Sequence, residues 1–153
     1  MTDSMKPTRD QAEFLACLKR HDVRAVVVGA HALALHARPR YTKDLDVLIE
    51  PSEENARRVV AALDDFGFGA LGVQISDLAT PGQIVQLGHE PNRIDIITRI
   101  SGVTFEEAWR NRIEASYAGE QVYFIGKEDL LRNKEATGRT QDRADAELLR
   151  RFL

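Results

Sequence analysis

Residues 26–50 read VVVGAHALALHARPRYTKDLDVLIE, and their reading decides the fold. Two apolar runs, residues 26–28 and 47–49, enclose a glycine, two histidines, three basic residues and the carboxylate pair Asp44 and Asp46. The β-branched run at 25–28, stopped by Gly29, predicts a buried strand. Residues 30–37 predict a short helix ending near Arg38 and Pro39, because proline disfavours helix in the residue before it. Residues 45–49 predict a second strand. Side chains alternate along it, so Asp44 and Asp46 emerge on one face while Leu45 and Val47 face a core. Two carboxylates that close repel each other and resist desolvation, and something must offset that cost.

Working outward, Thr8 and Gln11 have capping-box spacing, with Phe14, Leu15 and Leu18 on one face of a first helix. Pro51 and Ser52 open a longer helix that turns Val59, Val60, Leu63 and Phe66 inward and closes at Gly67. Residues 69–80 read as irregular chain with one helical turn. Residues 83–87 and 93–98 predict two strands joined through the turn formers at 88–92. Thr104 and Glu107 make a second capping box, for a helix through Trp109. Residues 113–116 and 121–125 predict a smaller hairpin around 117–120. Helices at 128–137 and 140–152, separated by Gly138, finish the chain. The expected fold is α+β, a mixed β-sheet flanked by helices. Residues 1–153 are expected to form one domain, with a C-terminal helical pair at about 128–152.

Bulk properties narrow the function. A chain of 153 residues builds one core, not two. A formal charge of −3 gives no support to a protein that coats duplex nucleic acid by charge alone. Cys17 is the single cysteine, so no internal disulfide forms, and its apolar neighbours predict a buried thiol. The polar N-terminus and the lack of any spanning apolar run predict a cytoplasmic protein with no membrane partner.

Asp95 carries the chemistry further. In the run 92–97, NRIDII, it shares a face with Arg93 and Ile97. A carboxylate inside an apolar strand needs a partner. Arg93 or Arg99 would make a structural ion pair of it. If the two Asp-bearing strands are neighbours, three carboxylates instead meet on one patch, and cations must lie between them. Oxygen ligands select magnesium or manganese over zinc, and two such ions promote in-line phosphoryl displacement. Gly29, ending a strand and starting a helix, leaves free amides suited to phosphate. In haloacid-dehalogenase phosphatases and many sugar transferases Asp-x-Asp ends the apolar strand that precedes it. Here the apolar run follows the motif, which speaks against both.

Together these residues resemble the nucleotidyltransferases of the DNA polymerase β superfamily. The likeness is greatest to small bacterial minimal-nucleotidyltransferase proteins related to abortive-infection toxins and nucleotidyltransferase antitoxins. The resemblance rests on Gly29-Ala30, on His36-Ala37 followed by Arg40-x-Thr42-x-Asp44-x-Asp46, on the Asp95 strand, and on Leu130 to Arg139 with Asp142 following. It implies that Asp44 and Asp46 bind two Mg2+ or Mn2+ ions and that Asp95 holds the catalytic one and helps deprotonate a hydroxyl. It also implies that Gly29 and Ala30 cradle a nucleoside triphosphate, that Arg40 and Thr42 support the acid pair or else are loop structure, and that Lys134 and Arg139 steady phosphate or acceptor. The competing reading has Lys134 and Arg139 pairing with Asp142, and a helix-face structural role for His31 and His36. The implied activity is transfer of a nucleoside monophosphate to a hydroxyl of a protein, an RNA end or a small molecule, in a monomer or an oligomer. Ala30 and Ala37 replace residues usual in the family. That departure raises a second reading, a non-catalytic nucleotide-binding or toxin–antitoxin partner module.

Overall fold

The computed structural model describes residues 7–38 and 44–153. Six strands form one mixed sheet in the order β3-β4-β2-β1-β6-β5. At its centre β1 (Ala25–Val28) runs antiparallel to β2 (Leu45–Ile49), pairing Val28 with Asp46. β2 runs parallel to β4 (Ile94–Ile97), and β3 (Ile84–Leu87) pairs antiparallel with β4 at one edge. On the other side β1 runs parallel to β6 (Glu120–Phe124), whose hairpin partner β5 (Ile113–Tyr117) forms the second edge. The central strands are β-branched and buried, as strands covered on both faces must be.

Side-chain alternation assigns the helices to two faces. Val47 shares a cavity with Leu15 and Leu18 of α1 (Arg9–Arg20), and α1 packs against α3 (Glu53–Phe66). Asp46, one residue along, points the opposite way. On that side α2 (Gly29–His36) lies over β1 and β2 and meets α6 (Lys127–Thr137) and α7 (Thr140–Arg150). α4 (Ile75–Ala79) packs on α3, and α5 (Phe105–Arg110) sits beside β1.

Local chemistry explains most boundaries. The Thr8 capping box forms as expected, and its Gln11 also donates to the carbonyls of Pro91 and Arg93, at 3.4 and 2.9 Å. One buried amide therefore caps α1 and fixes the entry to β4. Gly67, with φ 102°, ends α3 in the left-handed region that its missing side chain allows.

Most element ends fall within a residue of the sequence reading, and the larger differences are at 117–120, 69–80 and the end of the last helix. The 117–120 connection is tighter, because Tyr117 and Glu120 are paired strand residues. Only Ala118 and Gly119 turn, both at positive φ, as the twist of a two-residue hairpin demands. Residues 69–80 hold a 3-10 turn (Gly69–Leu71) besides α4. α7 stops at Arg150, two residues early. Among the described residues no helix is long and apolar enough to cross a membrane.

Candidate active site

The parallel pairing of β2 and β4 sets Asp46 directly against Asp95. Residues in register on neighbouring strands point to the same face about 4.8 Å apart, so the two carboxylates share one patch. Asp44, two residues before Asp46, lies beside them. Arg93 bridges the group: Nε and Nη2 each donate to an Asp95 carboxylate oxygen at 3.1 Å, and Nε lies 3.8 Å from Asp44 Oδ1. Of the two arginines open as partners for Asp95, Arg93 is the one that pairs with it.

Asp46 is left short of positive charge. Among the described residues no cation comes within 4 Å of it. Burial first, then the charges of Asp95 and Asp44, push its carboxyl up to about 7, against a weaker pull from Lys134 and Arg93. Such a carboxyl is half protonated at neutral pH unless a cation joins it.

Gly29 stands at the back of Asp46. Its φ is +68°, and a Cβ placed on it would lie 2.4 Å from Asp46 Oδ2. Both facts require glycine here. The residue before it, Val28, is the N-cap of α2 and offers no side chain to the first amides of the helix. Those amides, including that of Ala30, carry the positive end of the helix dipole. An anion cradle beside three carboxylates is electrostatically contradictory without cations, which would join one to the other.

Lys134 and Arg139 are engaged elsewhere. Lys134 Nζ lies 3.3 Å from Asp142 Oδ1 and 3.1 Å from Asp145 Oδ2, all three side chains being buried. Arg139 Nε reaches Asp142 Oδ2 at 2.6 Å. Burial raises the Asp142 carboxyl, but hydrogen bonds from Thr137 and Arg139 and the charge of Lys134 outweigh it and bring it to about 2. Lys134 still faces the carboxylate patch closely enough to lower Asp46, whereas Arg139 is tied to α7. The two histidines make contacts inside the fold. His36 Nε2 lies 2.6 Å from the Ile125 carbonyl, and buried His31 meets the Tyr117 hydroxyl through Nδ1. Arg40 and Thr42 lie outside the described residues.

Three features were not anticipated. Arg93 clamps Asp95 with both nitrogens. Asp145 is the second partner of Lys134, a contact hinted at only by its three-residue spacing from Asp142. Tyr117, read as a turn residue, closes over His31.

For a hard divalent cation the donor chemistry fits: three carboxylates, one of them with no cation within 4 Å among the described residues. Their spacing is open, however. Among the described residues, the trio of ligand atoms within 4.8 Å of one another is Cys17, His21 and Asp65, not these three acids. Closing Asp44, Asp46 and Asp95 on an ion places it in competition with Arg93 for the Asp95 oxygens.

Solved structures of other proteins share the fold. The structure of the lincosamide antibiotic adenylyltransferase LnuA with lincomycin bound is similar over 97% of this chain and 99% of that one, at TM-score 0.61 and 18% identity. ANT(2")-Ia in complex with adenylyl-2"-tobramycin matches over 90% of this chain and 84% of its own, at TM-score 0.52 and 15% identity. An antigenic nucleotidyltransferase-like protein from Paracoccidioides brasiliensis matches over 94% and 77%, at 0.53 and 12%. At such identities the likeness is one of fold. No curated protein matches the chain in sequence. A family model described as "Nucleotidyltransferase of unknown function (DUF6036)" matches residues 9–149.

Proposed function

Because the chain belongs to this nucleotidyltransferase family over nearly its whole length, we propose that it moves a nucleoside monophosphate from a nucleoside triphosphate to a hydroxyl and releases pyrophosphate. The observation that carries this reading is the register pair of Asp46 and Asp95, with Gly29 against Asp46 and the uncapped start of α2 beside it.

In this reading Asp44 and Asp46 hold two Mg2+ or Mn2+ ions, and Asp95 holds one of them. When bound, the ions supply Lewis acidity at the α-phosphate and offset the charge of the leaving pyrophosphate. The amides of Gly29 and Ala30 receive the triphosphate, an arrangement that depends on glycine at the first of them. Asp95 takes the proton of the acceptor hydroxyl once Arg93 frees one of its oxygens. Lys134 contributes positive potential from α6 while staying anchored by Asp142 and Asp145. Arg139 keeps Asp142 in place, and Arg40 and Thr42 support the acid pair. The names of the structural neighbours mention lincomycin and tobramycin, so small hydroxyl-bearing molecules are the first acceptors to try, ahead of RNA ends and protein side chains.

The test follows the α-phosphate of each labelled nucleoside triphosphate, with magnesium or manganese and a panel of such acceptors. Label transfer that Asp44→Asn and Asp95→Asn abolish is expected. Label transfer that is absent across the panel, or equal in the variants, overturns the assignment.

A second reading, nucleotide binding without turnover in a toxin–antitoxin partner module, is favoured by the two-nitrogen hold of Arg93 on Asp95. A ligand at a hundredfold over its dissociation constant adds about 2.7 kcal/mol of stability. A thermal shift of that size with metal and triphosphate, but no transfer to any acceptor, selects this module.

A further inference from the structure

Away from the carboxylate patch, α1 and α3 pack against each other. Cys17 and His21 stand four apart on α1 and so share one of its faces. Asp65 reaches them from the last turn of α3. His21 Nε2 lies 3.1 Å from Asp65 Oδ2, and Cys17 Sγ lies 3.7 Å from the same oxygen. One ligand atom from each of the three residues lies within 4.8 Å of the others. A tetrahedral zinc ion bound by sulfur, nitrogen and oxygen separates its ligand atoms by about 3.3–3.7 Å. The two closest separations already lie near that range.

A second observation points to a cation independently. The C-terminal turn of a helix carries partial negative charge and favours basic residues. The last turn of α3 instead carries Asp64 and Asp65 and no basic residue. The protein's own compensation comes from His21 at 3.1 Å, itself one of the three, and from Arg20 Nη2 at 3.7 Å, whose side chain is 63% exposed and can swing away.

We propose that Cys17, His21 and Asp65 form a zinc site separate from the nucleotidyl-transfer centre, with water completing the fourth position. Thiolate, imidazole and carboxylate together suit zinc and not magnesium. Cys17 Sγ now donates to the Ala62 carbonyl at 3.3 Å. Ligation replaces that S–H bond with a zinc–sulfur bond and releases one proton to solvent. Thiolate and carboxylate then balance the two charges of the ion. The site ties α1 to α3, so its role is to hold together the helical layer on this face of the sheet.

The reduced full chain, titrated with Co2+ as a spectroscopic substitute, provides the test. One equivalent is expected to produce a thiolate-to-cobalt charge-transfer absorption with tetrahedral d–d bands, and zinc is expected to displace it. His21→Gln and Asp65→Asn change partly exposed side chains, so the fold survives, and each is expected to weaken binding at least tenfold. Cys17→Ser is expected to abolish the charge-transfer absorption, and Asp44→Asn to leave it unchanged. Absence of the absorption in the natural chain, or undiminished affinity in both His21→Gln and Asp65→Asn, overturns the site. Neither result depends on whether the chain transfers nucleotides.

Discussion

Replacing Gly29 with alanine separates the backbone's demands from those of the carboxylate patch. At φ +68° an alanine sits in the left-handed region, which costs an L-residue about 1–2 kcal/mol. For a chain of this size that lowers the melting temperature by about 2–8 °C. The added methyl carbon would also lie 2.4 Å from Asp46 Oδ2, where real contacts almost never fall below 3.0 Å. The carboxylate must therefore withdraw by at least about 0.6 Å, which a side chain does easily but a preorganised ligand set does not tolerate. Disturbing what orients a metal ligand costs about 10–100-fold in affinity. Gly29→Ala is thus expected to fold and yet to bind magnesium with nucleoside triphosphate about 10–100-fold more weakly by calorimetry. Gly72→Ala is the control: its φ is +70°, with nothing within 4 Å of the new Cβ. It should lose similar stability and bind normally. Equal affinity in the two alanine variants would refute the claim that Gly29 exists to admit Asp46.

The remaining predictions concern charge. Lys134→Ala leaves Asp142 and Asp145 buried without their shared cation, and removing one member of such a group costs about 3–5 kcal/mol in chemical denaturation. The loss should shrink when Asp142→Asn and Asp145→Asn are added; an undiminished loss contradicts the pairing. Burial lowers His31 from 6.5 to about 4, so the unfolded chain binds the extra proton between those values. Stability is then full above pH 6.5 and falls by about 3 kcal/mol as the pH drops to 4. Asp46, raised from 3.8 to about 7, tilts the metal-free chain the opposite way, costing stability as pH rises through that window. Denaturation of His31→Phe against the natural chain isolates the first slope, and Asp46→Asn the second; parallel profiles contradict the assignments. Arg93→Gln removes the cation from three acids, so the metal-free chain melts lower while its gain in melting temperature on adding magnesium grows. An unchanged gain means Arg93 does not compete with metal.

The local signals in the sequence were read well wherever one mechanism acted alone. Thr8 with Gln11 and Thr104 with Glu107 do form the two expected capping boxes. The Gly67 stop and the β-branched runs at Ala25–Val28 and Leu45–Ile49 fall where the residues place them. Strand order was not legible. The juxtaposition of β2 and β4 is a contact across almost fifty residues, and nothing in either strand states it. The convergence of Asp46 with Asp95 was therefore conditional on an adjacency that only the fold supplies. Arg93 was legible as a possible partner because i and i+2 on a strand share a face. Its double hold on Asp95 depends also on Gln11, which fixes the Arg93 carbonyl from α1. Tyr117 was misassigned because aromatic residues suit both strand ends and turn flanks. Cys17 was legible only as a buried thiol, because Asp65 enters from another helix.

The pairing of Leu45 with Ile94 through to Leu48 with Ile97 makes the backbone ladder a ruler for the carboxylates. The stretch of the connection around Gly67 to Gly72 takes no part in the measurement. Chain length near Gly67 and Gly72, where exposed Leu71 already projects into solvent, can therefore vary without moving either aspartate. A segment grafted there to grip a different acceptor would inherit the acids at their original separation, so specificity and chemistry can be altered independently.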